Sequence, residues 1–359
     1  MNRSRRAHHQ IDEAALPWQA NTVVAERSAA AATPARLGIF EALRSQWLAI
    51  GAACGPFEWV AMGYLAVSSV LIAIFSDNLA HPVRLLATRA CVVALIILLC
   101  RGTDILAGSE SQFSAYTRKF WHFWRHWYPH LFFLFCFEEL AHLVQLISPR
   151  WQDAKLIAFD LWLTGVHPSI WLEKFATPAR NDFMQFTYLT YFVYLLVLGG
   201  ILYYRKDWSG YWSVMTYSAV AYAIGYLIAI SFPIESPWFS MAGSWHGDLR
   251  GGLFTAVINF IEHYGRVRGA AFPSEHVAGS FAALWGAWRH RRWLFWVMLP
   301  LVLCMCLSTI YGRYHYVADI FGGMVTGTLG YFLGGWLMTK TARSSAPPQV
   351  PASLSKNLL

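Results

Sequence analysis

Eight stretches of the chain are apolar for about the length that a helix needs to cross a lipid bilayer. Such a helix needs about 20 mostly apolar residues, because it rises about 1.5 Å per residue across roughly 30 Å of hydrocarbon. The fourth, fifth and seventh stretches contain no Asp, Glu, Lys or Arg, and the sixth is short. The pattern predicts an all-α integral membrane protein with about eight transmembrane helices. The stretches lie near 57–75, 83–100, 127–147, 183–203, 211–232, 273–289, 293–311 and 319–338.

The composition supports a membrane protein and excludes several other classes. Hydrophobic residues make up 56% of the 359 residues and charged residues 13%, whereas a soluble chain carries about 25% charged residues. This balance excludes a disordered chain, a coiled coil and a small secreted disulfide scaffold, and it disfavours an ordinary soluble enzyme. The six cysteines lie in or beside apolar runs and form no CxxC pair, so we expect buried thiols rather than disulfides.

Loop charges set the expected topology. With eight spans and the N-terminus inside, 18 Lys and Arg fall on the inner side and 7 on the outer side, as the positive-inside rule requires. The net charge of +8 is therefore assigned to cytoplasmic loops, and no nucleic acid partner is expected. Both termini are predicted to be cytoplasmic, the long segments 148–182 and 233–272 to lie outside, and a bacterial inner (plasma) membrane to be the location.

One transmembrane domain is expected over residues 45–340. A polar N-terminal tail over 1–44 and a disordered C-terminal tail over 341–359 flank it. The mixed apolar and charged character of 148–182 indicates a helix lying in the membrane interface. Two small-residue repeats in the last span allow close helix packing: Gly323-x-x-x-Gly327 and Gly330-x-x-x-Gly334.

Two short motifs carry candidate chemistry. One stands where the second outer segment enters the sixth span, and the other stands between the seventh and eighth spans. The predicted topology therefore places both at the same, extracytoplasmic face. The motifs are Phe272-Pro273-Ser274-Glu275-His276 and Gly312-Arg313-Tyr314-His315-Tyr316-Val317-Ala318-Asp319.

The spacing of the polar residues in these motifs suggests acid–base and nucleophilic chemistry on an anion. Because His315 and Asp319 are four apart, they share a face if the stretch is helical. Asp319 would then orient one ring nitrogen of His315 and leave the other free to attack, as in a catalytic triad. His276 would act as a separate acid or base. Free N–H groups after Pro273 favour a bound phosphate.

Three arginines are candidates to bind phosphate oxygens through forked hydrogen bonds. They are Arg313, Arg268 and Arg266.

These residues resemble the type 2 phosphatidic acid phosphatase superfamily. Its second motif reads Pro-Ser-x-His and its third ends in His-x-x-x-Asp, which match Pro273 to His276 and His315 to Asp319. Within it, the inositol phosphorylceramide synthase-like (inositolphosphotransferase) subgroup is most similar. The resemblance covers roughly 150–335 and implies a six-helix phosphatase-like core over about 150–338. Further support comes from Ala271-Phe272, Tyr314 to Val317, the Phe232-Pro233-x-x-Ser236-Pro237-Trp238 stretch, and Asp160 with Gly165 and Pro168.

The resemblance also implies a mechanism. His315 attacks phosphorus and forms a phosphohistidine, Asp319 orients and charge-balances it, and His276 protonates the leaving alcohol and then activates the acceptor. Ser274 helps to hold the phosphate. No metal and no cofactor are implied. The substrate is a membrane lipid phosphate; water as acceptor gives a phosphatase, whereas a polyol, inositol or sugar hydroxyl gives a phosphotransferase.

The sequence departs from the family pattern in three places. The third motif usually carries an Arg six residues before its His, and that position is Thr309. The middle residue of Pro-Ser-x-His is often Gly, and here it is Glu275. The first motif, a Lys followed by Arg-Pro, is absent in recognisable form, and Arg266, Arg268 and Arg250 are equal candidates for its role.

Alternatives from other classes stay open at this point. A transporter without chemistry would show Pro- or Gly-broken spans in matching halves. A haem or metal enzyme would place facing histidines inside spans, and His122, His126 and His130 have helical spacing among Trp residues, which also suits an aromatic belt. Glu138, Glu139 and His142 fall inside the third stretch and are either functional or structural, with Glu138 as one possible partner of Arg89.

Overall fold

The computed structural model describes residues 39–108, 115–265 and 267–344, and within these ranges it contains helices and no strand. Most of the predicted tails, 1–38 and 345–359, lies outside the described residues. The helices are α1 (Ile39–Ala53), α2 (Pro56–Ile74), α3 (Pro82–Gly108), α4 (Ala115–Leu140), α5 (Asp153–Thr164), α6 (Pro168–Glu173), α7 (Pro178–Leu189), α8 (Tyr191–Tyr204), α9 (Trp208–Ser231), α10 (Pro237–Ser240), α11 (Leu253–Gly265), α12 (Glu275–His290), α13 (Arg292–Tyr311) and α14 (Val317–Ser344).

Six segments in the described ranges are long and apolar enough to cross a membrane, which confirms an all-α membrane fold. The other two predicted spans are helical over most of their length, but α4 ends at Leu140 and residues 141–147 of the predicted third span form turns. Helix α4 carries five charged residues, and α12 has only 16 residues. Helix α4 therefore differs from the six segments by its charge, and α12 differs from them by its short length. The six segments are Pro56–Ile74, Pro82–Thr103, Pro178–Tyr204, Trp208–Ser231, Arg292–Tyr311 and Val317–Thr341.

Helix α9 forms the centre of the bundle, since most of its side chains are buried. It packs against α12 and α14, and glycines of α14 bring the backbones together. A Cβ atom on Gly323 would lie 2.5 Å from the Ser274 carbonyl oxygen, one on Gly327 2.5 Å from that of Ala278, and one on Gly330 2.5 Å from that of Tyr217. The predicted small-residue repeats are therefore sites of close helix packing.

Buried ion pairs tie α2, α3 and α4 together. Arg89 donates from Nη2 to Glu139 Oε2 at 2.7 Å, with both side chains buried. The alternative that Glu138 pairs with Arg89 is wrong, because Arg89 pairs with Glu139 and Glu138 is exposed. Arg125 lies 2.8 Å from Glu58 in a second buried pair. The buried charges Glu58, Arg89, Arg125 and Glu139 thus serve packing, because each is matched by an opposite charge.

The segments predicted to lie outside form short helices at one end of the bundle. Helix α5 buries acidic side chains and exposes aromatic ones, and its place in the membrane interface stays a prediction. Asp153 and Asp160 are buried on one side of it, whereas Trp162 is 77% exposed and Phe159 39% exposed on the other. Helix α11 corresponds to the apolar patch that is too short to span.

Candidate functional site

The two histidine motifs meet at one point in the structure. His276 Nδ1 lies 3.2 Å from His315 Nε2, and the ring centroids are 5.3 Å apart. His276 lies in the first turn of α12, and His315 lies in the short link between α13 and α14. The two motifs, which the predicted topology places at one face, therefore lie within hydrogen-bond distance of each other.

The other nitrogen of His315 faces two oxygens. Nδ1 lies 2.9 Å from the Ala271 carbonyl oxygen and 3.2 Å from Asp319 Oδ2. Since both partners are acceptors, Nδ1 carries the proton, and Nε2 keeps its lone pair toward His276. Burial lowers the pKa of His315 to about 4, with the Ala271 carbonyl acting in the opposite direction. The imidazole is thus neutral at neutral pH.

The link that carries His315 is shaped by its own backbone. The N–H groups of Tyr314 and His315 both donate to the Thr309 carbonyl oxygen, at 2.9 and 3.1 Å. Arg313 adopts a left-handed conformation with φ 67°, which few side chains favour. The Thr309 side chain is buried and bonds to the Cys306 carbonyl. Thr309 stands where the family usually carries an arginine, and here its carbonyl oxygen stabilises the turn that leads to His315.

Aromatic hydroxyls surround His276. The Tyr188 hydroxyl lies 2.8 Å from His276 Nε2, and the Tyr191 ring centroid lies 4.7 Å from that of His276. Ser274 caps α12, since its hydroxyl accepts from Val277 N–H at 3.4 Å. Ser274 is fully buried, so its side chain is occupied by the helix terminus in this structure.

Both histidines open on a cavity of about 540 Å³. Its inner wall comes from α4 and α8, and its outer rim from α10, α11 and the segment before α12. The described lining residues are His130, Leu131, Phe133, Leu134, Phe137, Glu138, Tyr188, Tyr191, Phe192, Leu195, Leu196, Tyr222, Tyr226, Ser236, Trp238, Phe239, Ile261, Glu262, Gly265, Val267, Gly269, Ala270, Ala271, His276, Tyr314 and His315. The walls are mostly apolar, as expected for a hydrocarbon ligand.

Two of the three candidate phosphate-binding arginines, Arg313 and Arg268, bind other groups of the protein outside the cavity. Arg313 donates to the Gly247 carbonyl at 2.8 Å and lies 3.4 Å from Glu173; its burial lowers its pKa and Glu173 opposes that shift. Arg268 pairs with Glu235 at the surface. Neither lines the cavity. Arg266 lies outside the described residues, and its role stays a prediction.

Glu275 departs from the family pattern without entering the cavity. Its side chain is buried, and a Cβ atom on Gly225 would lie 2.0 Å from its Oε1. Gly225 thus provides the space that this carboxyl occupies, away from the histidine pair.

Several site residues were not found from sequence. Spacing and topology predict the histidines and Asp319, but the cavity tyrosines resemble any aromatic residues of a span. The missed tyrosines are Tyr188, Tyr191, Tyr222 and Tyr226. No group of three or more His, Cys, Asp or Glu side chains in the described ranges is arranged to hold a metal ion.

Comparison with known proteins gives one match. The sequence model of the PAP2 superfamily matches residues 154–333. This range contains both histidine motifs and every helix from α6 to α13. No curated protein and no solved structure matches the chain.

Proposed function

The chain belongs to the PAP2 superfamily, and we propose that it is an integral membrane enzyme that cleaves a lipid phosphate ester through a phosphohistidine. Superfamily membership and the membrane-type helices support a membrane phosphatase-type function. The observation that carries the finer proposal is the chain of contacts from His276 through His315 to Asp319, open to a large apolar cavity.

In the first step, His315 Nε2 attacks phosphorus. The N–P bond forms, the ester P–O bond breaks, and His276, which enters the step as the imidazolium beside the bound phosphate anion, gives a proton to the leaving oxygen and becomes neutral. The positive charge that develops on His315 faces Asp319 Oδ2 at 3.2 Å. Substrate binding replaces the direct contact between the two imidazoles with contacts from each ring to the phosphoryl group.

In the second step, His276 removes a proton from the acceptor hydroxyl. The acceptor oxygen attacks phosphorus, the N–P bond breaks, and His315 returns to its neutral form. Tyr188 fixes the far nitrogen of His276 at 2.8 Å, so the ring keeps its orientation through both proton transfers. General acid–base help of this kind is typically worth about 10²–10⁴-fold in rate.

The substrate is proposed to be a lipid at the extracytoplasmic face. The apolar wall from α4 and α8 suits a hydrocarbon chain, while the histidines lie at the end of the bundle that carries the long segments. The bias of Lys and Arg toward the opposite side supports this orientation, with both termini cytoplasmic and a bacterial inner membrane as the location.

Hydrolysis and transfer use the same phosphoenzyme, so the acceptor distinguishes them. Water gives a phosphatase, and a sugar or inositol hydroxyl gives a phosphotransferase, as in the subgroup that the motifs resemble. A panel of lipid phosphates and phosphodiesters, with and without inositol or sugars, separates the two when both free phosphate and new lipid products are measured.

The nucleophile is tested by His315→Ala. We expect turnover in detergent to fall by at least about 10⁴-fold, because the phosphohistidine cannot form. His142→Ala is the matched control, since His142 is exposed and does not line the cavity. Full activity of His315→Ala would remove it as nucleophile. Absence of turnover by the wild-type protein across the panel would instead favour a non-enzymatic transporter.

A further inference from the structure

We propose that Asp160, supported by Asp153, is a positioning residue for the catalytic segment of residues 315–319. Both aspartates lie on α5, outside the two histidine motifs. The inference rests on the proposed function, because the role of Asp160 is to hold His315 and Asp319 in the geometry that the phosphoryl transfer needs.

Asp160 caps the helix that begins just after His315. Its Oδ2 accepts from Val317 N–H at 2.9 Å, and its Oδ1 accepts from Ala318 N–H at 3.1 Å. These are the first N–H groups of α14, which have no partner within their own helix. The next residue along the chain is Asp319. A carboxylate from 157 residues earlier thus fixes the backbone from which the partner of His315 extends.

Opposing effects act on the Asp160 carboxyl. Its side chain is buried, and burial raises its pKa, while the N–H groups of Val317 and Ala318 oppose the rise. The helix N-terminus favours the ionised form, in which the two hydrogen bonds are charge-assisted and stronger than neutral ones.

Asp153 binds the same segment through a side chain, that of Tyr316. Its Oδ1 accepts from the Tyr316 hydroxyl at 2.9 Å, and Tyr316 follows His315 directly. The two oxygens also accept from Glu235 N–H at 2.9 Å and Ser236 N–H at 3.1 Å, and Ser236 lines the cavity. Because Asp153 and Asp160 are seven residues apart, they lie on the same face of α5.

Helix α5 therefore binds the catalytic segment at two points, through Asp153 at the Tyr316 hydroxyl and through Asp160 at the backbone of Val317 and Ala318. Asp160 itself does not line the 540 Å³ cavity, so it does not contact a ligand bound there. Its loss would let the start of α14 shift and would change the direction of His315 Nε2. A misplacement of about 1 Å can cost about 10²-fold in rate, while substrate binding in the cavity stays intact.

The proposal is tested by Asp160→Asn in the full chain. The amide keeps the size and one acceptor oxygen but turns an NH₂ group toward the second backbone N–H. We expect kcat to fall by about 10²-fold, with KM changing less than about threefold. Asp153→Asn should give a smaller fall in kcat of the same kind. Asp160→Glu should recover part of the lost kcat, because a carboxylate is restored.

Asp207→Asn is the matched control. Asp207 also caps a helix, since it accepts from Gly210 N–H at 2.9 Å at the start of α9, far along the chain from both histidine motifs. We expect near wild-type kcat and KM from this variant.

Two results would overturn the inference. One is a kcat of Asp160→Asn within about threefold of wild type. The other is an equal fall in kcat for Asp160→Asn and Asp207→Asn, together with equal losses in melting temperature, which would indicate a general structural effect. These results differ from failure of the proposed function, in which the wild-type protein itself turns over no substrate.

Discussion

The protonation state of one imidazole governs the proposed chemistry. His315 is buried, and its Nδ1 faces the Ala271 carbonyl and Asp319. An exposed histidine is partly protonated near pH 6.5, and a protonated ring cannot attack phosphorus. Burial therefore keeps the proposed nucleophile in its neutral form.

A direct titration of His315 tests this state. Its pKa is lowered from 6.5 to about 4, so the folded protein keeps it neutral where the unfolded chain binds a proton. The stability from this residue is complete above about pH 6.5 and falls as the pH decreases toward 4. Nitrogen NMR of labelled imidazoles should show a midpoint near 4 that is lost in His315→Ala. A midpoint near 6.5 for that signal would contradict the prediction.

For single residues, the sequence shows which side chains are charged and how far apart they lie along the chain. It does not show which way each side chain points. His276, His315 and Asp319 are predicted because their separations and their place at span ends are sufficient to bring them together. Arg313 is adjacent to the same motif, yet its left-handed backbone turns it to Gly247 and Glu173. Backbone conformation decided its direction, and that is not readable from residue type.

Helix packing sets the distance between the two histidines. His276 is carried by α12 and Asp319 by α14, and these helices touch through backbone at Gly323 and Gly327. Ser274 N–H also donates to the Asp319 carbonyl at 3.0 Å. The catalytic spacing therefore depends on the absence of side chains along one face of α14.

Gly323→Ala tests this dependence. The added Cβ would lie 2.5 Å from the Ser274 carbonyl oxygen, so α12 and α14 must separate. We expect a loss of about 1–3 kcal/mol in stability, as for other overpacked sites, and at least about a tenfold fall in kcat. Thermal melting in detergent and steady-state kinetics measure both.

Gly335→Ala is the control on the same helix. Its Cβ would meet only Tyr217 Cε1 at 3.8 Å, an ordinary contact. Similar behaviour of the two variants would show that the contact at Gly323 does not set the spacing.

The elements themselves follow largely from hydropathy and loop charge. Six spans satisfy length and apolarity on their own, and α4 and α12 are recovered only because the topology requires them. The pairing of Arg89 could not be resolved, since Glu138 and Glu139 are adjacent and differ by about 100° around the helix axis. Tertiary packing chooses between them, and it selects Glu139.

The proposed catalytic residues and part of the cavity wall come from different regions of the chain. The two histidines and Asp319 lie after residue 270, within the range matched by the superfamily. Helix α4, which precedes that range, contributes His130, Leu131, Leu134 and Glu138 to the cavity. From His130 to Glu138 this wall extends about 12 Å along the helix, which suits part of a hydrocarbon chain.

Leu134→Trp tests the wall. The larger side chain should fill part of the cavity and raise KM for a long-chain lipid phosphate by about tenfold or more. A small soluble ester such as para-nitrophenyl phosphate, which has no chain to accommodate, should keep its kcat and KM. Leu98→Trp, on an exposed position of α3 outside the cavity, is the control. Equal effects on both substrates would contradict an acyl-chain wall.

The mixed origin of this wall has a consequence for lipid preference. Its inner side comes from α4, before the range matched by the superfamily, and from α8, within that range. Substitutions on either helix would alter which tail is accepted while the proposed catalytic residues stay unchanged.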